Sequence, residues 1–74
     1  MSQQQLLMFG QRLHALRLKE QVTQKAMAEF LGCTTSNYQK MEYGQVNVSA
    51  TTLIALAERF HVSIDYLLGL RDQP

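Results

Sequence analysis

The stretch Thr23-Gln-Lys-Ala-Met-Ala-Glu-Phe-Leu-Gly-Cys-Thr-Thr-Ser-Asn-Tyr-Gln-Lys-Met-Glu-Tyr-Gly44 decides how the chain folds. Thr23 can cap a helix, because its hydroxyl accepts a bond from an otherwise orphaned backbone N–H. Met27, Ala28 and Leu31 then supply a buried stripe. Gly32 follows at once, where a helix end wants a residue that tolerates positive φ. Thr34 offers a second cap only two residues later. Tyr38 and Met41, three apart, are the apolar positions of the next helix, which closes at Tyr43-Gly44. Two helices that cross steeply over so short a turn need a small residue where they touch and a glycine to reverse the chain. Ala28 and Gly32 meet those needs.

Working outward, the same logic finds three more helices. Ser2 and Gln5 have the form of a capping box, and Leu6, Phe9, Leu13 and Leu16 recur at helical spacing. Arg12, Lys19 and Glu20 fall on other faces of that helix. Ser49 caps a fourth helix whose inner face is Leu53, Leu56, Ala57 and Phe60. Ser63 caps a short fifth, with Asp65 in its first turn, where the helix dipole favours negative charge, and Leu67 and Leu68 within it. Val46 and Val48 allow at most a two-residue strand. The helices are expected at about 3–19, 24–31, 35–43, 50–60 and 64–68, as one domain over 1–74. The fold class is all-α, a compact five-helix bundle.

Composition narrows the field. Of the 74 residues 46% are hydrophobic, with one proline and four glycines, which argues against disorder and against a turn-rich β fold. Cys33 is the single cysteine, so no internal disulfide can form. No apolar run approaches the ~18 residues of a membrane span. Met1 to Leu7 has glutamines where a signal peptide would be basic. A cytoplasmic location is the expectation. The formal net charge is only +1. Residues 1–45 carry Arg12, Arg17, Lys19, Lys25 and Lys40 against Glu20, Glu29 and Glu42, whereas the remainder is slightly acidic, so an anionic partner should meet the first half.

The second helix of the central stretch leaves Thr35, Ser36, Asn37, Gln39 and Lys40 outside. All five form hydrogen bonds and only one is charged. Such a face suits base edges in the major groove, where amides and hydroxyls meet donors and acceptors. A merely solvated helix face usually carries more Glu and Lys.

Taken together, Arg17, Thr23-Gln24, Met27-Ala28, Leu31-Gly32, Glu42-x-Gly44, Leu53, Ala57 and Val62-Ser-Ile-Asp-Tyr-Leu-Leu68 resemble the phage Cro and repressor type of helix-turn-helix, the xenobiotic-response-element (XRE) family, over about 9–69. The resemblance implies a lambda-repressor-like DNA-binding domain with its helix-turn-helix at the second and third helices. It implies that Gln24 clamps a phosphate and braces the recognition helix, and that Thr35, Ser36, Gln39 and Lys40 are the base-reading set. Lys25, Asn37, Tyr43 and Asn47 would follow the phosphate backbone. Arg17 and Glu42 would form an internal ion pair, and Tyr66, Leu67 and Leu70 a two-fold dimer contact. The chain departs from relatives in having Tyr38 where Ile or Val is usual, Val48 in place of a frequent proline, and Phe30 at a usually polar position.

Plainer readings stand beside these. Thr35 and Ser36 also suit extra capping, Gln24 and Lys40 suit a solvated surface, and the C-terminal leucines suit the core. Cys33 fits a small apolar plug, His61 a helix end and His14 a solvated site, with no metal-ligand spacing among them. Neither a cofactor nor a metal is expected. No nucleophile–base pair, paired catalytic carboxylates or phosphate-cradling loop is present, so the expectation is a non-enzyme. The function expected is sequence-specific transcriptional regulation, by repression, through a homodimer on a palindromic site in double-stranded DNA. The alternative is a helix-turn-helix protein-interaction module with weak DNA binding, to which the low net charge and Phe30 point. A restriction-modification controller is a subtype of the first.

Overall fold

The computed structural model describes residues 1–74 as five helices and no strand: α1 (Gln3–Lys19), α2 (Gln24–Leu31), α3 (Thr35–Glu42), α4 (Ala50–Phe60) and α5 (Ile64–Leu67). Each is capped as its sequence dictates. Ser2 and Gln5 complete a reciprocal capping box at 3.1 Å in both directions. Thr23, Thr34, Ser49 and Ser63 each accept from a backbone N–H three residues on. Two boundaries differ by one residue from expectation. Tyr43 and Leu68 are caps rather than helical residues, where fraying makes the last turn ambiguous.

The core draws on all five helices: Phe9 and Leu13 from α1, Met27 and Ala28 from α2, Tyr38 and Met41 from α3, Leu56 and Phe60 from α4, and Leu67 from α5. Fully burying side chains of this size is worth roughly 1.5–3 kcal/mol each before the entropy of ordering is charged against it. Gly32 turns the chain between α2 and α3 at φ 72°, and the Cys33 N–H closes the turn by donating to the Ala28 carbonyl at 3.0 Å. The packing therefore holds α3 against both α1 and α2.

One close approach fixes where α3 sits. Gly10 is buried in the middle of α1, and a Cβ there would lie 2.8 Å from the Met41 carbonyl oxygen and closer still to that of Glu42. The end of α3 rests directly on the α1 backbone. At the other side Arg12 holds the C-terminal segment. Its guanidinium donates to the carbonyls of Tyr66 and Arg71 and lies 4.2 Å from the centroid of the Tyr66 ring. Glu20, beyond α1, pairs with Arg59 of α4 at 2.8 Å on the surface. No helix is long and apolar enough to cross a membrane.

Candidate nucleic-acid interface

Packing on α1 and α2 sorts the residues of α3. Tyr38, Met41 and Glu42 are buried, Thr35 and Gln39 are half-buried, and Ser36, Asn37 and Lys40 are exposed. Ser36 and Lys40 stand one turn apart on the outward ridge, with Tyr43 beyond them, also exposed. An eight-residue helix is about 12 Å long, comparable to the width of the major groove of B-DNA. Lys25 at the start of α2 and Asn47 in the loop before α4 are exposed on the surface. Gln24 and Gln39 are bonded to each other, Gln39 Nε2 donating to Gln24 Oε1 at 2.9 Å.

Beneath this ridge lies a polar cluster centred on Glu42, whose side chain is 1% exposed. Arg17 Nε donates to Glu42 Oε2 at 2.6 Å, and Arg17 Nη1 donates to the Val22 carbonyl at 3.0 Å. The other carboxylate oxygen accepts from Gln24 Nε2 at 3.2 Å and from His14 Nδ1 at 2.8 Å. A carboxylate cannot donate, so the Nδ1 proton belongs to His14 in this contact. Burial disfavours the Glu42 anion, but hydrogen bonds led by Arg17 more than offset it and hold its pKa down at about 2. The same bond to Glu42 raises the Arg17 pKa. One buried ion pair thus ties α1, the α1–α2 connection and the end of α3 together, and through Gln24 reaches α2.

Tyr38 sits wholly buried near this pair. Burial pushes its phenol well above the ordinary range, and Glu42 adds to the effect. Its buried hydroxyl makes no hydrogen bond. An unsatisfied buried hydroxyl costs about 1–3 kcal/mol, so Tyr38→Phe is expected to be neutral or to stabilise by about 1 kcal/mol in chemical denaturation. A loss above about 2 kcal/mol would show instead that the hydroxyl serves the carboxylate.

Three expectations are corrected by this geometry. Leu67 is 0% exposed and belongs to the core, so it is not a dimer contact; in a four-residue helix only one side can face inward, and Leu67 takes it. Leu70 remains 64% exposed, whereas Tyr66 is half-buried beneath Arg12. His14 is not simply solvated, being half-exposed and bonded to Glu42. Gln39 is no free side chain on the ridge, since Gln24 holds its amide. Sequence reading missed His14, Arg12 and Gly10. The spacing of His14 three residues before Arg17, on one side of a helix, was the available signal.

Comparison with known proteins agrees with the architecture. A helix-turn-helix family model matches residues 13–67. The uncharacterized HTH-type transcriptional regulator YobD of Bacillus subtilis is 37% identical over 67 residues, which is 90% of this chain and 60% of that protein. The SPbeta prophage-derived uncharacterized HTH-type transcriptional regulator YonR of the same organism is 41% identical over 61 residues, 82% of this chain and 56% of that one. The chain therefore spans little more than half the length of these curated relatives. Among solved structures, the restriction-modification controller protein C.AhdI from Aeromonas hydrophila is similar with a TM-score of 0.75 and 32% identity, covering 88% of this chain and 94% of its own. With α2, the Gly32 turn and α3 inside the matched span, and the Arg17–Glu42 pair holding them to α1, the chain belongs to the XRE-type helix-turn-helix family of Cro and repressor proteins.

Proposed function

We propose that the chain is a sequence-specific DNA-binding transcriptional regulator that represses by occupying a palindromic operator as a homodimer. The observation that carries this reading is the outward ridge of α3, where Ser36, Asn37 and Lys40 are exposed and Thr35 half-exposed above a fully packed inner face. Thr35, Ser36 and Lys40 would reach base edges. Gln24, Lys25, Asn37, Tyr43 and Asn47 would meet phosphates, supplying general affinity that falls with salt. Tyr66 and Leu70 remain as candidate dimer contacts. Principal extents of 28, 23 and 20 Å suit two copies side by side with recognition helices about 34 Å apart, one turn of DNA. The family membership and the regulators among the relatives support the same reading. In this proposal the protein acts in the cytoplasm as a binder, with neither catalysis nor cofactor.

The test is selection of bound DNA from random sequence with the native chain and variants. Thr35→Ala or Ser36→Ala is expected to relax preference at particular base pairs, by about 1–3 kcal/mol each. Lys25→Ala should weaken all sites alike and lower the salt dependence by about one phosphate contact. Equal motifs and affinities for all of them would reject the assignment. The second reading, a protein-interaction module, is favoured by Phe30 on α2, which is 51% exposed. Gel shifts that show no binding to genomic fragments at low or moderate salt would favour it.

A further inference from the structure

Residues 71–74 lie back along α5, the short helix they follow. The chain turns at Gly69, in the left-handed region at φ 79°, and the Leu70 N–H donates to the Asp65 carbonyl at 2.8 Å. The Arg71 carbonyl then accepts from Arg12 Nη1, the same group that donates to the Tyr66 carbonyl, and Arg12 Nη2 lies 3.6 Å from the Asp72 carboxylate. At the other end of α5 the main-chain oxygen of Pro74 accepts from the Ser63 N–H at 3.1 Å. Ser63 and Tyr66 are three residues apart and share one side of the helix, so the stretch anchored at Arg12 and at Ser63 runs along that side. Ser63 and Tyr66 are half-buried, whereas Arg71, Asp72, Gln73 and Pro74 are exposed and therefore outermost. The core takes no residue beyond Leu67. Polar contacts hold this stretch in place, and it can come away without opening the core.

We propose that residues 71–74 are a strap, latched by Arg12, that competes with a second copy of the chain for the Ser63–Tyr66 side of α5. This rests on the homodimer reading above and adds the contact that opposes pairing. A partner that packs on Tyr66 must displace the strap and Arg12 with it, because the guanidinium stands 4.2 Å from the centroid of the ring. A face that is open only a fraction of the time binds with an affinity reduced by that fraction. A strap closed about ten times more often than open, the scale of one net hydrogen bond, imposes that factor on each copy. In a two-fold contact both copies must open, so the dimer is weakened roughly 100-fold. The strap thereby sets how much protein accumulates before paired half-sites are filled.

Two variants of the full chain test this. Arg12→Ala removes the latch, and Arg12→Lys keeps the charge and the stem over Tyr66 but lacks the planar fork that joins two carbonyls. In sedimentation equilibrium the dimer should tighten roughly 100-fold in Arg12→Ala and by less in Arg12→Lys, and Tyr66→Ser added to either should abolish the gain. Should Arg12→Ala fail to fold, as circular dichroism would show, Arg12→Lys carries the comparison. Backbone nitrogen relaxation should find residues 71–73 as ordered as α5 in the native monomer, and mobile in the variants and in the dimer. A dimer that is weaker or unchanged in the folded variants overturns the strap and leaves the homodimer reading intact, and so does a mobile 71–73 segment in the native monomer. Absence of self-association by the native chain and both variants, free and on operator DNA, defeats the homodimer reading and the strap together.

Discussion

Glu42→Ala is expected to cost about 3–5 kcal/mol of folding stability, because it leaves the Arg17 guanidinium buried without its counter-charge. A domain of this size has roughly 4–11 kcal/mol to lose, so the variant should be partly unfolded under mild conditions. The loss arises from stranding one partner and is not the net worth of the pair. Replacement of Arg17 and Glu42 together by apolar residues of similar volume should recover much of it. The same pair gives a pH dependence whose sign follows from proton counting. Glu42 has a folded pKa of about 2 against an ordinary 4.5, so the unfolded chain binds more protons in between. The stabilisation is complete above pH 4.5 and is lost as pH falls through that window to about 2, an effect on the order of 3 kcal/mol. Denaturation curves across that range check it. A Glu42→Gln variant whose stability falls with acid as steeply as that of the native chain would contradict the role given to the carboxylate.

Gly10→Ala should also destabilise, by less and for a different reason. An added methyl group meets the carbonyl oxygens of Met41 and Glu42, which are backbone and cannot rotate away. Alanine's better helix propensity returns only about 1 kcal/mol. Overpacking of this kind usually costs about 1–3 kcal/mol, more where the backbone must move, so a net loss of about 2 kcal/mol is expected. The end of α3 would be lifted from α1, and with it Lys40 and the ridge. DNA affinity should then fall further than stability alone explains, in assays run where the variant is still folded. Wild-type stability and affinity in Gly10→Ala would show that α1 and α3 are not in backbone contact.

Much of the fold was legible because its signals are local. Five Ser or Thr caps, the 3-4-3 spacing of Leu6, Phe9, Leu13 and Leu16, and Gly32 at a positive φ each act within one turn of the chain. The polar face of α3 was legible for the same reason, since Tyr38 and Met41 determine what is left outside. What escaped depends on partners distant in sequence. Arg12 meets Tyr66 across 54 residues, Gln39 meets Gln24 across 15, and Gly10 matters only because α3 returns to it. Leu67 was misplaced because a four-residue helix has too few positions for periodicity to separate an inner from an outer face. His14 looked ordinary because its partner, Glu42, lies two helices away.

The most direct test is a map of backbone amide shifts on adding an operator selected from random sequence. Changes are expected to centre on Thr35, Ser36 and Lys40 and on the start of α2 near Gln24 and Lys25, with a second group at Tyr66 and Leu70 if two copies meet there. Changes confined to α4 and α5, with the α3 ridge undisturbed at saturating DNA, would contradict the assignment of α3 as the reading helix.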